Sequence, residues 1–203
     1  MALALVELGA ATLGESGALS MRPRVAAVWP SATLAAPAYT VGCTPGDNLA
    51  IHVAVARAPA GSALVVDVGG VPERGYWGEV LTTAAEARDL AGLVIDGGVR
   101  DTAALEAHRF PVFSSMVALL GATKEFPGTV GSPVRVGDVT VRMGDWVVGD
   151  GDGVVVIGGD RLDEVLSAGR TRANKEAVYF SELTSGKTTV ELLGLDGTSV
   201  REG

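Results

Sequence analysis

Two short runs constrain the fold of this chain more than any other part of it. They are "SALVVDVGG", Ser62 to Gly70, and "GLVIDGG", Gly92 to Gly98. Each is apolar, rich in β-branched residues and closed by glycines, which reads as a buried strand. A stretch with helical periodicity precedes each one. "TPGDNLAIHVAVARAP" predicts a helix with its N-cap at Asp47 and its stop at Pro59, and "WGEVLTTAAEARDLA" predicts a second helix. "RDTAALEAH" and "FPVFSSM" then add a short helix and another strand. Helices alternating with buried strands require parallel pairing in an α/β layer.

The pattern changes from Pro133 to Ile157, where "PVRVGDVTVRMGDWVVGDGDGVVVI" carries short strands separated by Gly-Asp turns. Antiparallel hairpins are expected there. An amphipathic helix from about Asp160 to Leu183 follows, then "GKTTVELLGL"; the helix carries late charge and has the length to reach another subunit. The opening "MALALVELGAATLGESG" lacks a basic start and holds Glu7 and Glu15, so an ordinary helix is expected rather than a signal peptide. Residues 1–203 thus read as one domain, with 1–39 a helical extension and 160–203 a C-terminal helix and tail. No internal repeat or low-complexity linker interrupts it.

Bulk properties exclude several functions. The formal charge is −8 with no run of Lys or Arg, which argues against direct nucleic-acid binding. No apolar run approaches the ~20 residues of a membrane span. Cys43 is the one cysteine, so neither an intrachain disulfide nor a cysteine zinc cluster forms, and a reducing cytoplasm suits the chain.

The chemistry gathers behind the second strand, where Arg100 and Asp101 stand side by side. The C-terminal end of a strand in an open α/β sheet is where ligands bind. Gly97 and Gly98 leave room there for a ligand or another backbone. For Asp101 the structural alternative is a cap on "TAALEAH". In "GYWGEVLTTAA", Gly78 precedes a helix whose first amides belong to Glu79, Val80 and Leu81, a site for a carboxylate or phosphate. Glu79 is alternatively a first-turn acid that complements the helix dipole. Twenty residues separate Glu79 from Arg100, one helix-plus-strand unit, which in a parallel layer starts and ends on the same edge. Anion cradle, guanidinium and carboxylate then share a cleft, a set suited to a small oxo acid held with a divalent ion such as magnesium.

An acidic residue, twenty residues and Arg-Asp, within "WGEVLTTAA…GLVIDGGVRD", resembles the 4-hydroxy-4-methyl-2-oxoglutarate aldolase family, which shares its fold with the regulator of ribonuclease activity A. The likeness extends over "PGDNLAIHVAVARAPAGSALVVD" and "VGDVTVRMGDWVVGDGDGVVVI", from about Thr40 to Ile157, and the tail "KEAVYFSELTSGKTTVELLGL" resembles the family's closing helix. The resemblance implies a layered β/β/α swivelling-domain fold and a class II, metal-dependent pyruvate aldolase, with oxaloacetate decarboxylation as a second activity. Asp101 matches the metal ligand, Arg100 the substrate-binding arginine, and Gly78, Glu79, Val80 and Leu81 the segment that holds the substrate carboxylate. Several aldolases carry Asp where Glu79 stands, which leaves Glu79 a contact to the ion through water. The implied cofactor is Mg²⁺ or Mn²⁺, and the implied assembly is a homotrimer or hexamer in which a neighbour's C-terminal helix, through Glu176 or Glu182, completes the cleft. The competing reading is a non-catalytic protein that binds a ribonuclease.

Other features carry less. His52 and His108 are unclustered and read as packing or surface residues, and no side chain claims the role of base. Cys43 reads as a small buried residue, Trp77 and Trp146 as packing. "GDGDG", Gly149 to Gly153, lacks the ligands of a calcium loop and reads as a tight hairpin turn.

Overall fold

The computed structural model describes residues 1–201. Helix α1 (Ala2–Glu15) opens the chain, followed by strands β1 (Leu19–Ser20), β2 (Ala26–Ala27) and β3 (Leu34–Gly42). The helical reading of residues 1–39 therefore holds only for α1. Leu34, Ala36 and Ala38 are buried at period two, a strand's period, which a run of small alanines disguises as helix.

The expected βα alternation then appears. Helix α2 (Leu49–Arg57) leads to β4 (Ala63–Asp67) and β5 (Gly75–Trp77), and α3 (Glu79–Glu86) leads to β6 (Gly92–Val99). Helix α4 (Thr102–His108) and β7 (Val112–Val117) complete the series. Strands β3, β4, β6 and β7 pair in parallel, and β5 adds in parallel to the end of β6. The glycines after Asp96 do not end β6. It continues to Val99, shifting register against β7 between Ile95 and Gly98. A Cβ on Gly98 would sit 2.5 Å from the Arg74 carbonyl oxygen and 2.7 Å from the Ala118 methyl, so glycine is required by proximity.

The second half holds β8 (Thr129–Val130), the hairpin β9 (Val134–Val136) with β10 (Val139–Val141), and the hairpin β11 (Trp146–Asp150) with β12 (Gly153–Ile157). Among the described residues ten strands form one mixed sheet, with β3 joining the parallel part to the antiparallel β11–β12 hairpin. Gly149 to Gly153 is the turn of that hairpin, as expected.

Helix α5 (Leu162–Thr184) and the short α6 (Thr189–Leu193) follow. The run Val154-Val155-Val156-Ile157 is apolar without alternation because both faces of β12 are covered. Val154 and Val156 enter the main core with Leu64, Leu93, Ile95 and Phe113, while Val155 and Ile157 enter a second core with α1 and α5. Full burial of such side chains contributes ~1.5–3 kcal/mol each. Trp146 packs against the second core. Trp77 stacks on Phe110 at 6.0 Å between centroids, with its indole N–H donating to Thr82 Oγ1 at 2.8 Å; both tryptophans serve packing as expected. Helix α1 breaks at Gly9, whose φ of 76° favours glycine. There the freed amide of Ala10 donates to Asp150 Oδ2 at 2.7 Å, so the hairpin turn caps the helix's second half.

Candidate active site

Parallel pairing of β5 with β6 sets Trp77 opposite Val99, and the Arg100 amide donates to the Trp77 carbonyl at 2.9 Å. The residues that follow each strand, Gly78 and Arg100, therefore emerge side by side. Gly78 is extended, with φ −166°, and faces the site: a Cβ would run into the Asp101 carboxylate and lie 3.1 Å from Arg100 Cγ, so any side chain here must displace those groups.

Asp101 occupies the cap position of α4 in the left-handed region, φ 57°, yet its side chain makes no capping hydrogen bond. Its Oδ2 accepts from the amide of Glu79 at 3.1 Å and lies 3.7 Å from Arg100 Nε. The cap alternative thus fails: the carboxylate crosses to the start of α3. With the Glu79 amide engaged, those of Val80 and Leu81 remain without intrahelical acceptors at the helix start.

Beside them lies a cavity of about 220 Å³, walled by Gly78, Val80, Leu81, Arg100 and Asp101 from the predicted set. Glu79 contributes its amide but not its carboxylate. The latter lies 3.6 Å from His108 Nε2, while His108 Nδ1 is 2.8 Å from Glu86. These contacts, that to Glu86 foremost, raise the pKa of His108. In this arrangement the Glu79 carboxylate is thus directed to His108. Glu176 and Glu182, on α5, pair within the chain with Arg172 at 2.8 Å and Lys187 at 2.9 Å.

The opposite contributions come from residues that the sequence left aside. Asn48, His52, Ala122 and Lys124 also wall the cavity. Asn48, rather than Asp47, holds the cap position of α2. Asp47 is 1% exposed and ties two segments together: Oδ1 accepts from the Leu49 amide at 2.8 Å, while Oδ2 accepts from the Thr123 hydroxyl at 2.7 Å and the Glu125 and Phe126 amides at 2.6 and 3.1 Å. Burial alone would raise its pKa, but these donors outweigh it and hold the carboxyl at about 2. The loop bearing Lys124 is thereby fixed over the cavity. "PGDN" upstream carried the signal, but the loop it anchors lies more than seventy residues away. Cys43 is partly buried, and burial pushes its thiol up to about 12, so it is inert.

A parallel βαβ unit thus places the start of a helix, a guanidinium and one carboxylate around one small cavity of an α/β protein. The chain matches the model of the RraA-like family, described as Aldolase/RraA, over residues 10–156, and it belongs to that family. A relative from Halalkalibacterium halodurans, named "Putative 4-hydroxy-4-methyl-2-oxoglutarate aldolase", is 36% identical over 70% of this chain and 68% of its own length. Protein DlpA of Legionella pneumophila is 30% identical over 86% of this chain, a match that spans only 29% of that longer protein. Among solved structures, a protein from Pseudomonas syringae superposes with TM-score 0.82 at 26% identity, covering 93% of this chain and 92% of that one. The RNA-processing inhibitor RraA from Thermus thermophilis superposes with TM-score 0.62 at 28% identity, covering 70% and 84%. The expected family and fold class are thus established. No helix among the described residues is long and apolar enough to cross a membrane.

Proposed function

We propose that this protein is a divalent-metal-dependent pyruvate aldolase. It cleaves 4-hydroxy-4-methyl-2-oxoglutarate, or a related 2-oxo-4-hydroxy acid, to pyruvate. The observation that carries this reading is the convergence of the Val80 and Leu81 amides, Arg100 and Asp101 on one cavity.

The donor set suits Mg²⁺ or Mn²⁺. Among the described residues no group of three His, Cys, Asp or Glu side chains could hold an ion, which rules against a zinc-type cage. Magnesium takes one or two carboxylates and fills its other positions with water and substrate oxygens, and Asp101 offers one carboxylate with its side chain 41% exposed. A bound cation would act there as a Lewis acid toward negative charge on the substrate's C2 oxygen. The protein's own groups do the rest. The Val80 and Leu81 amides hold the substrate carboxylate, and Arg100 stabilises the C2 oxygen as breaking of the C3–C4 bond turns it into an enolate oxygen. Oxaloacetate decarboxylation develops the same charge on the same oxygen, so the same residues serve it.

The proposed assembly is a homotrimer or hexamer. The second half of α5 supports it, because Val178 and Phe180 are 58% and 64% exposed there and no residue beyond Gly169 is buried. Purified protein is assayed for pyruvate release from 4-hydroxy-4-methyl-2-oxoglutarate with Mg²⁺ and with EDTA. Metal-dependent release, lost in Asp101→Ala, is expected. Inertness on oxo acids combined with binding to a ribonuclease would transfer the protein to the regulator class.

A further inference from the structure

Aldol cleavage requires a group that takes the C4 hydroxyl proton, and an imidazole, that of His52, is among the groups that wall the cavity. Helix α2 contributes Asn48 and His52, one turn apart and so on one face. Each holds a buried polar atom with no hydrogen-bond partner, Asn48 Oδ1 and His52 Nε2. An unpaired buried polar atom costs about 1–3 kcal/mol, which a ligand hydroxyl reaching it would recover. The other polar side chains of the cavity are less suited to accept a proton. Asn48 Nδ2 donates to the Tyr76 carbonyl at 2.8 Å. The Tyr76 hydroxyl accepts from the Gly46 amide at 3.0 Å and donates to the Val71 carbonyl at 2.5 Å. Arg100 and Lys124 are cations, and Asp101 holds the Glu79 amide.

Building on the aldolase reading, we infer that His52 is the proton carrier of the reaction. Its Nε2 takes the proton from the C4 hydroxyl as the C3–C4 bond breaks. The bonding pair passes into the enolate, with charge on the C2 oxygen, and C4 becomes a carbonyl. The imidazolium then returns the same proton to C3, giving the methyl group of pyruvate. No other reactant is needed. The charged groups that act on His52 are Lys124, from the loop, and Asp47, at the start of its own helix. Burial first, then Lys124, lowers its pKa, against a smaller opposing effect of Asp47, so the imidazole begins neutral at pH 7.

The test uses the full chain with Mg²⁺ and the variants His52→Gln and His52→Ala. Exchange of the pyruvate methyl hydrogens in D₂O, followed by proton NMR, isolates proton transfer at C3 from bond cleavage. Calorimetric binding of oxalate, a mimic of the enolate, reports whether the site is intact. Exchange is expected to fall by about 10²–10⁴-fold in both variants, with oxalate affinity within about threefold of the parent. Added imidazole should partly restore His52→Ala. The acid limb of kcat/KM should vanish in His52→Gln, and NMR titration of the metal-free parent should place the His52 ring below ~6.5. Exchange by His52→Gln within about threefold of the parent overturns the assignment, as does loss of oxalate binding in both variants. In the first case a parent that still cleaves the oxo acid leaves the aldolase reading standing. A parent that neither exchanges nor cleaves takes both down.

Discussion

The amide of Glu79 donates to Oδ2 of Asp101 at 3.1 Å, so the proposed metal ligand is held by the neighbouring helix rather than by its own. An asparagine in that place keeps an oxygen for the amide and loses only the charge. Asp101→Asn is therefore expected to unfold in urea within about 1 kcal/mol of the parent. Its Mg²⁺-dependent pyruvate release should fall by about 10²–10³-fold, the scale of losing one preorganised electrostatic group. Full activity in this variant would remove Asp101 from the chemistry.

Two glycines separate function from stability. Gly98→Ala forces a methyl to 2.5 Å from the Arg74 carbonyl oxygen, backbone against backbone, and should cost about 1–3 kcal/mol in denaturant titration. Gly78→Ala meets side-chain atoms instead, the Asp101 carboxylate and Arg100 Cγ, on an extended backbone that any residue adopts. Its loss should appear in kcat/KM well before it appears in the unfolding midpoint, and the reverse order would show that Gly78 serves folding alone.

Asp47 contributes to acid stability. Its folded pKa of about 2 lies below the ~3.9 of an unfolded aspartate, so its contribution is complete above pH ~4 and is lost as pH falls toward about 2. Asp47→Ala leaves the Thr123, Glu125 and Phe126 donors unpaired and should cost about 3 kcal/mol at pH 7. Thermal melts between pH 2 and 5 should show a weaker acid dependence in Asp47→Asn than in the parent. An identical slope would contradict the assignment.

The exposed apolar residues of α5 provide a separable test of assembly. Val178→Lys combined with Phe180→Asp alters residues that are more than half exposed and outside both cores. Light scattering should show a smaller particle than the parent, with an unchanged far-ultraviolet spectrum. An unaltered mass would rule these residues out of the interface.

The sequence revealed what is periodic or local. The β-branched runs that became β4 and β6, the Gly-Asp turns, and the Gly78–Leu81 and Arg100–Asp101 segments all announce themselves within a few residues. Three things escaped it for physical reasons. Alanine packs on either a strand or a helix, so β3 was hidden among residues read as helical. A pair of glycines breaks an isolated strand but permits close approach within a sheet, so β6 runs three residues past Asp96. His52 and Lys124 gain meaning only through Asp47, whose partners lie on a distant loop that no local pattern connects to it.

The β5–β6 ladder has an evolutionary corollary. Because the Trp77 carbonyl and the Arg100 amide fix where the two cavity-lining segments surface, their alignment is set by the ladder rather than by the length of α3. The interval of twenty reflects the size of one helix, and a chain that lengthened or shortened that helix would keep the same two strand ends side by side. Relatives of this kind are better sought by two strand ends sharing a rung than by counting along the chain.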